Sequence, residues 1–118
     1  MRYISLFTHE GHGAPPTEEE IAKMHNLMQE GLTEGWLIVT EGVQWGSKGV
    51  RVQAKGGKMT VVDGPFAEAK EVVGGYAILR AGSREEVVEL TKRFLDVAGS
   101  DGTCEIHELY EMPAAGKL

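Results

Sequence analysis

The chain is predicted to be an α+β protein, an antiparallel sheet with two helices on one face and an inserted β-hairpin. Three observations carry that prediction. Alternating apolar stretches of strand length recur along the chain, and two helix-period segments each open on a Thr or Ser capping signal. A Gly56-Gly57 pair then splits one alternating stretch in two. At 118 residues the chain has room for one hydrophobic core and not two, so a single domain over residues 1–118 is expected.

Residues 2–8 read as the first strand, with Ile4 and Leu6 on one face and Tyr3 and Phe7 on the other. A Gly- and Pro-rich loop over 9–16 leads to Thr17-Glu18-Glu19-Glu20. There the Thr17 hydroxyl can accept from the Glu20 amide while the Glu20 side chain reaches back. The acidic first turn suits the helix dipole. Ile21, Met24, Leu27, Met28 and Leu32 recur at helical spacing until Gly35 ends the helix. Residues 36–43 read as the second strand, and 50–54 with 59–63 as the hairpin. Residues 73–80 make a further strand. Ser83-Arg84-Glu85-Glu86 is a second capping box, opening a helix that carries Val87, Leu90, Thr91, Phe94 and Ala98 and stops at Gly99. The last strand is expected over 103–111. Strands interleaved with two capped helices in this order fit the ferredoxin-like plan.

That plan leaves one sheet face without helices, yet the strands are apolar on both faces. Ala77 and Leu79 oppose Tyr76 and Ile78, as Tyr3 and Phe7 oppose Ile4 and Leu6. A second apolar face needs a cover, and a second copy of the chain is the expected one, giving a homodimer through the sheet face.

Charge and cysteine content exclude several classes. A net charge of −6 and a pI near 5.2 argue against nucleic acid and anionic membranes as partners. The basic residues from Lys48 to Lys58 are diluted by glycine and read as a solvated loop. Cys104 is alone in an alternating strand, where it behaves as a small hydrophobe, and a lone thiol fits a reducing, cytoplasmic setting. No apolar run approaches the ~18 residues of a membrane span, and the amino terminus alternates like a strand rather than a signal peptide.

Asp63 and His25 are the leading catalytic candidates. Asp63 precedes Gly64-Pro65, where an Asx-type turn accounts for it structurally. The functional reading is a general base or cation-binding group at a cleft edge. His25 lies four residues after Ile21 and three before Met28, on or near the buried helix face. It reads as a half-buried structural side chain or as an acid–base group. Glu41, at the end of the second strand, would lie beside Asp63 if that strand neighbours residues 59–63, and paired carboxylates push one pKa up. Lys48 and Arg51 would hold an anionic ligand or neutralise those carboxylates, and Phe66 would form a pocket wall or a dimer contact. Lys70 and Glu71 read as solvated charges. His9-Glu10-Gly11-His12 offers two imidazoles off a helix, too few for a metal site by itself, so no metal is expected. His107 alternates outward from Cys104 and Ile106. No glycine pattern matches a phosphate or dinucleotide loop, and no cofactor is expected.

The stretch Val61-Val62-Asp63-Gly64-Pro65-Phe66-Ala67-Glu68-Ala69-Lys70-Glu71, followed by Gly74-Gly75-Tyr76, closely resembles the signature of the DGPF branch of the YCII-related family. Glu41-Gly42-Val43-Gln44 and Ser47-Lys48-Gly49-Val50-Arg51 are similar to that branch as well. The resemblance runs from the first strand to the last. It implies a ferredoxin-like domain of the dimeric α+β barrel type and a homodimer. In some YCII-like relatives a first-helix histidine, upstream of a Thr-x-Gly at the second strand's end, pairs with an aspartate and is taken as the acid–base group. His25 stands fifteen residues before Thr40-Glu41-Gly42 in that relation. Two function classes follow. One is a cofactor-free acid–base enzyme, isomerase- or lyase-like, acting on a small carbonyl or anionic metabolite. The other is a non-catalytic ligand-binding or regulatory module, since YCII-like domains also occur fused to, or encoded beside, sigma factors.

Overall fold

The computed structural model describes residues 1–10, 15–44, 48–66, 72–99 and 101–111. Along them run β1 (Arg2–His9), α1 (Glu18–Glu34), β2 (Leu37–Gly42), β3 (Val50–Lys55), β4 (Lys58–Asp63), β5 (Val72–Arg80), α2 (Arg84–Ala98) and β6 (Thr103–Glu108). The main sheet is antiparallel in the order β2-β5-β1-β6, and β3 with β4 forms a separate two-stranded ribbon. Two helices pack on one face of the sheet, which is the α+β, ferredoxin-like arrangement with an inserted hairpin between β2 and β5.

Register decides which residues meet the helices. Facing residues in an antiparallel sheet share a face, so Leu37, Leu79 and Tyr3 form one row on the helix side, and Thr40, Ala77, Ser5 and Ile106 form the next. Tyr3, Leu37, Leu79, Ala81 and Val87 are the buried cluster, with Met28, Trp36, Ala77 and Ile106 packed against it. The helix-free face carries the rows Val39–Ile78–Ile4–His107 and Glu41–Tyr76–Leu6–Glu105.

The caps follow the sequence closely at one helix and less so at the other. At α1 both bonds of the box form: Thr17 Oγ1 accepts from the Glu20 amide at 3.1 Å, and Glu20 Oε1 accepts from the Thr17 amide at 2.9 Å. At α2 the Ser83 hydroxyl accepts from the Glu86 amide at 3.1 Å, but the Glu86 carboxylate takes the Gly82 amide at 3.0 Å instead of the Ser83 amide. Ser83 is extended (φ −156°), and the N–H one residue earlier is the one in reach.

Three further expectations need correction. Leu32, expected on the buried face of α1, is 53% exposed. Its neighbour Gly31 meets β2 instead, with room for a hydrogen only: a Cβ there would stand 2.7 Å from Leu37 Cβ and 2.8 Å from the Trp36 ring. The last strand stops at Glu108 rather than 111, although the Leu109 amide still donates to the Arg2 carbonyl at 2.8 Å. Finally, β4 pairs with β3 alone and β2 with β5, so Glu41 and Asp63 are not on neighbouring strands.

The hairpin turn uses Gly56 and Gly57 at φ 58° and 81°, the positive-φ pair that a type I′ turn requires. Its base is closed by the Gly64 amide donating to the Gly49 carbonyl at 2.7 Å, and the Gly64–Pro65 peptide is cis. Among the described residues no helix is long and apolar enough to cross a membrane.

Candidate functional site

The helices do not close fully on the sheet. Ile21, Met24, His25 and Met28 of α1 follow i, i+3, i+4, i+7 spacing and so share one stripe. Leu90, Thr91, Phe94, Val97 and Ala98 do the same on α2. Between those stripes and the sheet surface of Ser5, Phe7, Ala77, Leu79 and Cys104 lies a cavity of about 550 Å³, the size range of small-molecule sites. Glycine keeps its floor low. A Cβ on Gly75 would sit 2.8 Å from the Glu41 carbonyl oxygen, and one on Gly74 would sit 2.9 Å from the rings of Phe7 and His9. The Gly74-Gly75 pair therefore lets β5 lie close under its neighbours on both sides.

Most polar groups of the wall are already committed. The Thr40 hydroxyl donates to the Tyr76 carbonyl at 3.1 Å, and the Thr91 hydroxyl to the Val87 carbonyl at 2.8 Å. Glu20 lies at one edge, with its carboxylate held in the α1 cap. The amide and hydroxyl of Thr17 hold its pKa below the ordinary carboxylate range; Lys23 contributes less and partial desolvation opposes. Cys104, half-buried on the floor, has its thiol pushed up by burial, an effect that a hydrogen bond with Ser5 partly offsets. His25, expected half-buried on the inner face of α1, is exposed there and brings an imidazole to the cavity's edge.

The proposed site residues divide into two places. His25 lines the cavity from α1; Glu41 borders it at the end of β2, where register sets its exposed side chain in the Tyr76 row of the helix-free face. Asp63, Lys48, Arg51 and Phe66 lie on or beside the hairpin and are not among the described lining residues. The Arg51 guanidinium stands over the Phe66 ring, 4.1 Å from its centroid, a cation–π contact that leaves Phe66 half-buried. Asp63 is exposed at the end of β4 opposite Val50, and its carboxylate makes no hydrogen bond among the described residues. An Asx-type bond two residues on is closed to it, since Pro65 has no N–H. Of the His9–His12 pair, His9 packs beside Phe7 with ring centroids 5.6 Å apart, and His12 lies outside the described residues, as do Ser47, Lys70 and Glu71. His107 is exposed on the helix-free face and meets Glu105 Oε1 at 2.7 Å.

Sequence reasoning missed Cys104, Ser5 and Thr91 as cavity residues. Cys104 was legible only as a strand hydrophobe. The signal lay in pairing, since Phe7 opposes Cys104 and Ser5 opposes Ile106, which sets Ser5 and Cys104 on one face of adjacent strands.

The family model described as YCII-related domain matches residues 1–113 of the chain. No curated protein matches it.

Proposed function

The chain belongs to the YCII-related family, and from that premise we propose that it binds a small, largely apolar carbonyl compound in the cavity between its helices and sheet, with His25 as the acid–base group. The observation that carries this reading is the placement of His25 in an apolar wall whose threonine hydroxyls are already bonded to backbone carbonyls. In such a wall an imidazole is the group suited to take a proton from a carbon beside a carbonyl and return it at another position. That exchange needs no oxidant, reductant or cofactor. The cationic side chains first assigned to an anionic substrate, Lys48 and Arg51, stand on the hairpin, which favours an uncharged ligand over an anion.

Asp63 enters this reading as a second-rank candidate, because it stands at the hairpin base and not in the cavity wall. The same fact supports the other reading, a non-catalytic ligand-binding module of the DGPF type. The lone Cys104 fits a cytoplasmic setting. A homodimer through the helix-free sheet face belongs to the same proposal, supported by the row Val39, Ile78 and Ile4 on that face beside Tyr76 and Leu6.

Calorimetric and NMR screening of neutral carbonyl and lactone compounds against matched carboxylates tests the proposal. Neutral compounds should bind and shift the His25 ring resonances. His25→Gln should then retain binding while losing turnover by about 10²–10⁴-fold. Binding without turnover, unchanged in His25→Gln, would establish the module. If only carboxylates bind, the cavity reading fails.

A further inference from the structure

The cavity floor brings one hydroxyl and one thiol together among small side chains. Phe7 of β1 is flanked in its row by Gly75 and Cys104, and Ser5 by Ala77 and Ile106. Cys104 stands two residues before Ile106, so it lies diagonally across from Ser5 on the helix side of the sheet. With glycine at 75 and alanine at 77, nothing larger than a methyl stands beside Ser5 on β5. Ser5 is only 6% exposed and still lines the cavity, as half-buried Cys104 does.

This pair has one hydrogen more than it uses. Of the side-chain donors on the described wall, the Thr40 and Thr91 hydroxyls are given to backbone carbonyls and the Trp36 N–H to Glu34 Oε2. The Tyr76 side chain belongs to the helix-free row, and His25 stands at the cavity's edge. Ser5 and Cys104 hydrogen-bond each other. A hydroxyl and a thiol carry one hydrogen each, and a single bond between them uses one of the two. If Ser5 donates to Sγ the S–H is left over, and if Cys104 donates to Oγ the O–H is left over. A buried donor without an acceptor is rarer in folded proteins than a spare lone pair, so the floor is built to receive an acceptor.

The wall also decides that acceptor's charge. No lysine or arginine is among the described lining residues, so a carboxylate drawn to the floor would be buried there without a cation. The oxygen of a ketone, ester or lactone needs no cation and accepts the hydrogen that is spare.

We propose that Ser5 and Cys104 anchor the ligand's carbonyl oxygen on the cavity floor, so that the ligand enters oxygen first and lays its apolar body between sheet and helices. The anchor rests on the carbonyl-binding reading of the cavity and adds the atoms that select the ligand. The hydroxyl is the stronger donor of the two. In the bound state the thiol therefore donates to Oγ and the hydroxyl to the ligand. The pair thereby sorts neutral carbonyl compounds from hydrocarbons of the same shape.

The test is calorimetric binding of acetophenone, and of ethylbenzene as its near match in shape without the oxygen. The proteins are wild type, Ser5→Ala, Cys104→Ala and Ser5→Ala/Cys104→Ala, with thermal melts to report folding. Comparing the ratio of the two affinities between proteins cancels the probes' different hydration. Infrared difference spectra of carbonyl-labelled acetophenone on wild type give a readout that needs no variant. Cys104→Ala frees the hydroxyl and should hold the ratio within about threefold of wild type. Ser5→Ala leaves only the weaker S–H and should lower it, and the double variant should lower it about tenfold. The bound C=O stretch should lie below its frequency in hexane. If both probes bind, the ratio is unchanged in the double variant and the stretch is hexane-like, the anchor is overturned while the cavity reading stands. A loss in Ser5→Ala as large as in the double variant overturns the share given to Cys104. Failure of both probes to bind wild type overturns the anchor together with the cavity reading.

Discussion

Replacing Gly31 by alanine sets two effects of opposite sign against each other. In a helix interior the change favours folding by about 0.5–1 kcal/mol, because glycine loses more backbone freedom than alanine. At this position the new methyl meets Leu37 Cβ at 2.7 Å and two atoms of the Trp36 ring at 2.8 and 2.9 Å. Leu37 Cβ is carried directly by the β2 backbone and cannot rotate away. The Trp36 ring is tethered, since its Nε1–H donates to Glu34 Oε2 at 2.8 Å. Forcing a methyl into such a seat costs about 1–3 kcal/mol, so overpacking wins and a net loss of about 1–2 kcal/mol is expected. For a chain of this length that lowers Tm by roughly 4–8 °C. Urea unfolding with a calorimetric melt measures it, and a changed Trp emission should accompany the loss as the Trp36 ring is displaced. A Gly31→Ala protein as stable as wild type, or more so, would refute the claim that α1 sits on β2 through this glycine.

Cys104 should react slowly with a maleimide at neutral pH, because burial raises its thiol pKa, and a cavity ligand should slow it further. Since folding favours the neutral thiol, its contribution to stability is present below the ordinary thiol pKa and is lost as pH rises through the raised folded value. Ser5→Ala removes the bond that lowers that pKa and should make labelling slower still. Thr17→Ala should cost about 1 kcal/mol by removing the hydroxyl that accepts from the Glu20 amide, while the bond from the residue-17 backbone N–H to the Glu20 carboxylate remains. Glu20, with its pKa lowered in the fold, contributes above the unfolded carboxylate pKa, and that contribution is lost as pH falls through the lowered value. Acid titration of Glu20→Gln should lack this step, while an unchanged acid transition would show that the cap does not govern α1.

How much of this was legible beforehand varies with the range of the interaction. Thr17 and Glu20 lie three residues apart, so their bonds could be read directly, whereas the Ser83 box failed by one residue because local dihedrals chose the donor. The Gly56-Gly57 turn was equally plain, since positive φ at two successive positions asks for glycine. The candidate site was less legible. His25 was visible by its spacing from Ile21 and Met28, but Ser5 and Cys104 lie 99 positions apart in the chain and meet only through β1–β6 pairing.

The amino-acid sequence alone determined the elements, their caps and turns, the two-sided apolar strands and the membership of the family, because each depends on residues within one or two turns of one another or on a linear motif. Tertiary structure alone decided that Glu41 and Asp63 part company, that Leu32 yields its place to Gly31, and that an apolar cavity opens between helices and sheet. Those outcomes depend on which strands pair and in which register, and register is settled by long-range packing that no local window contains.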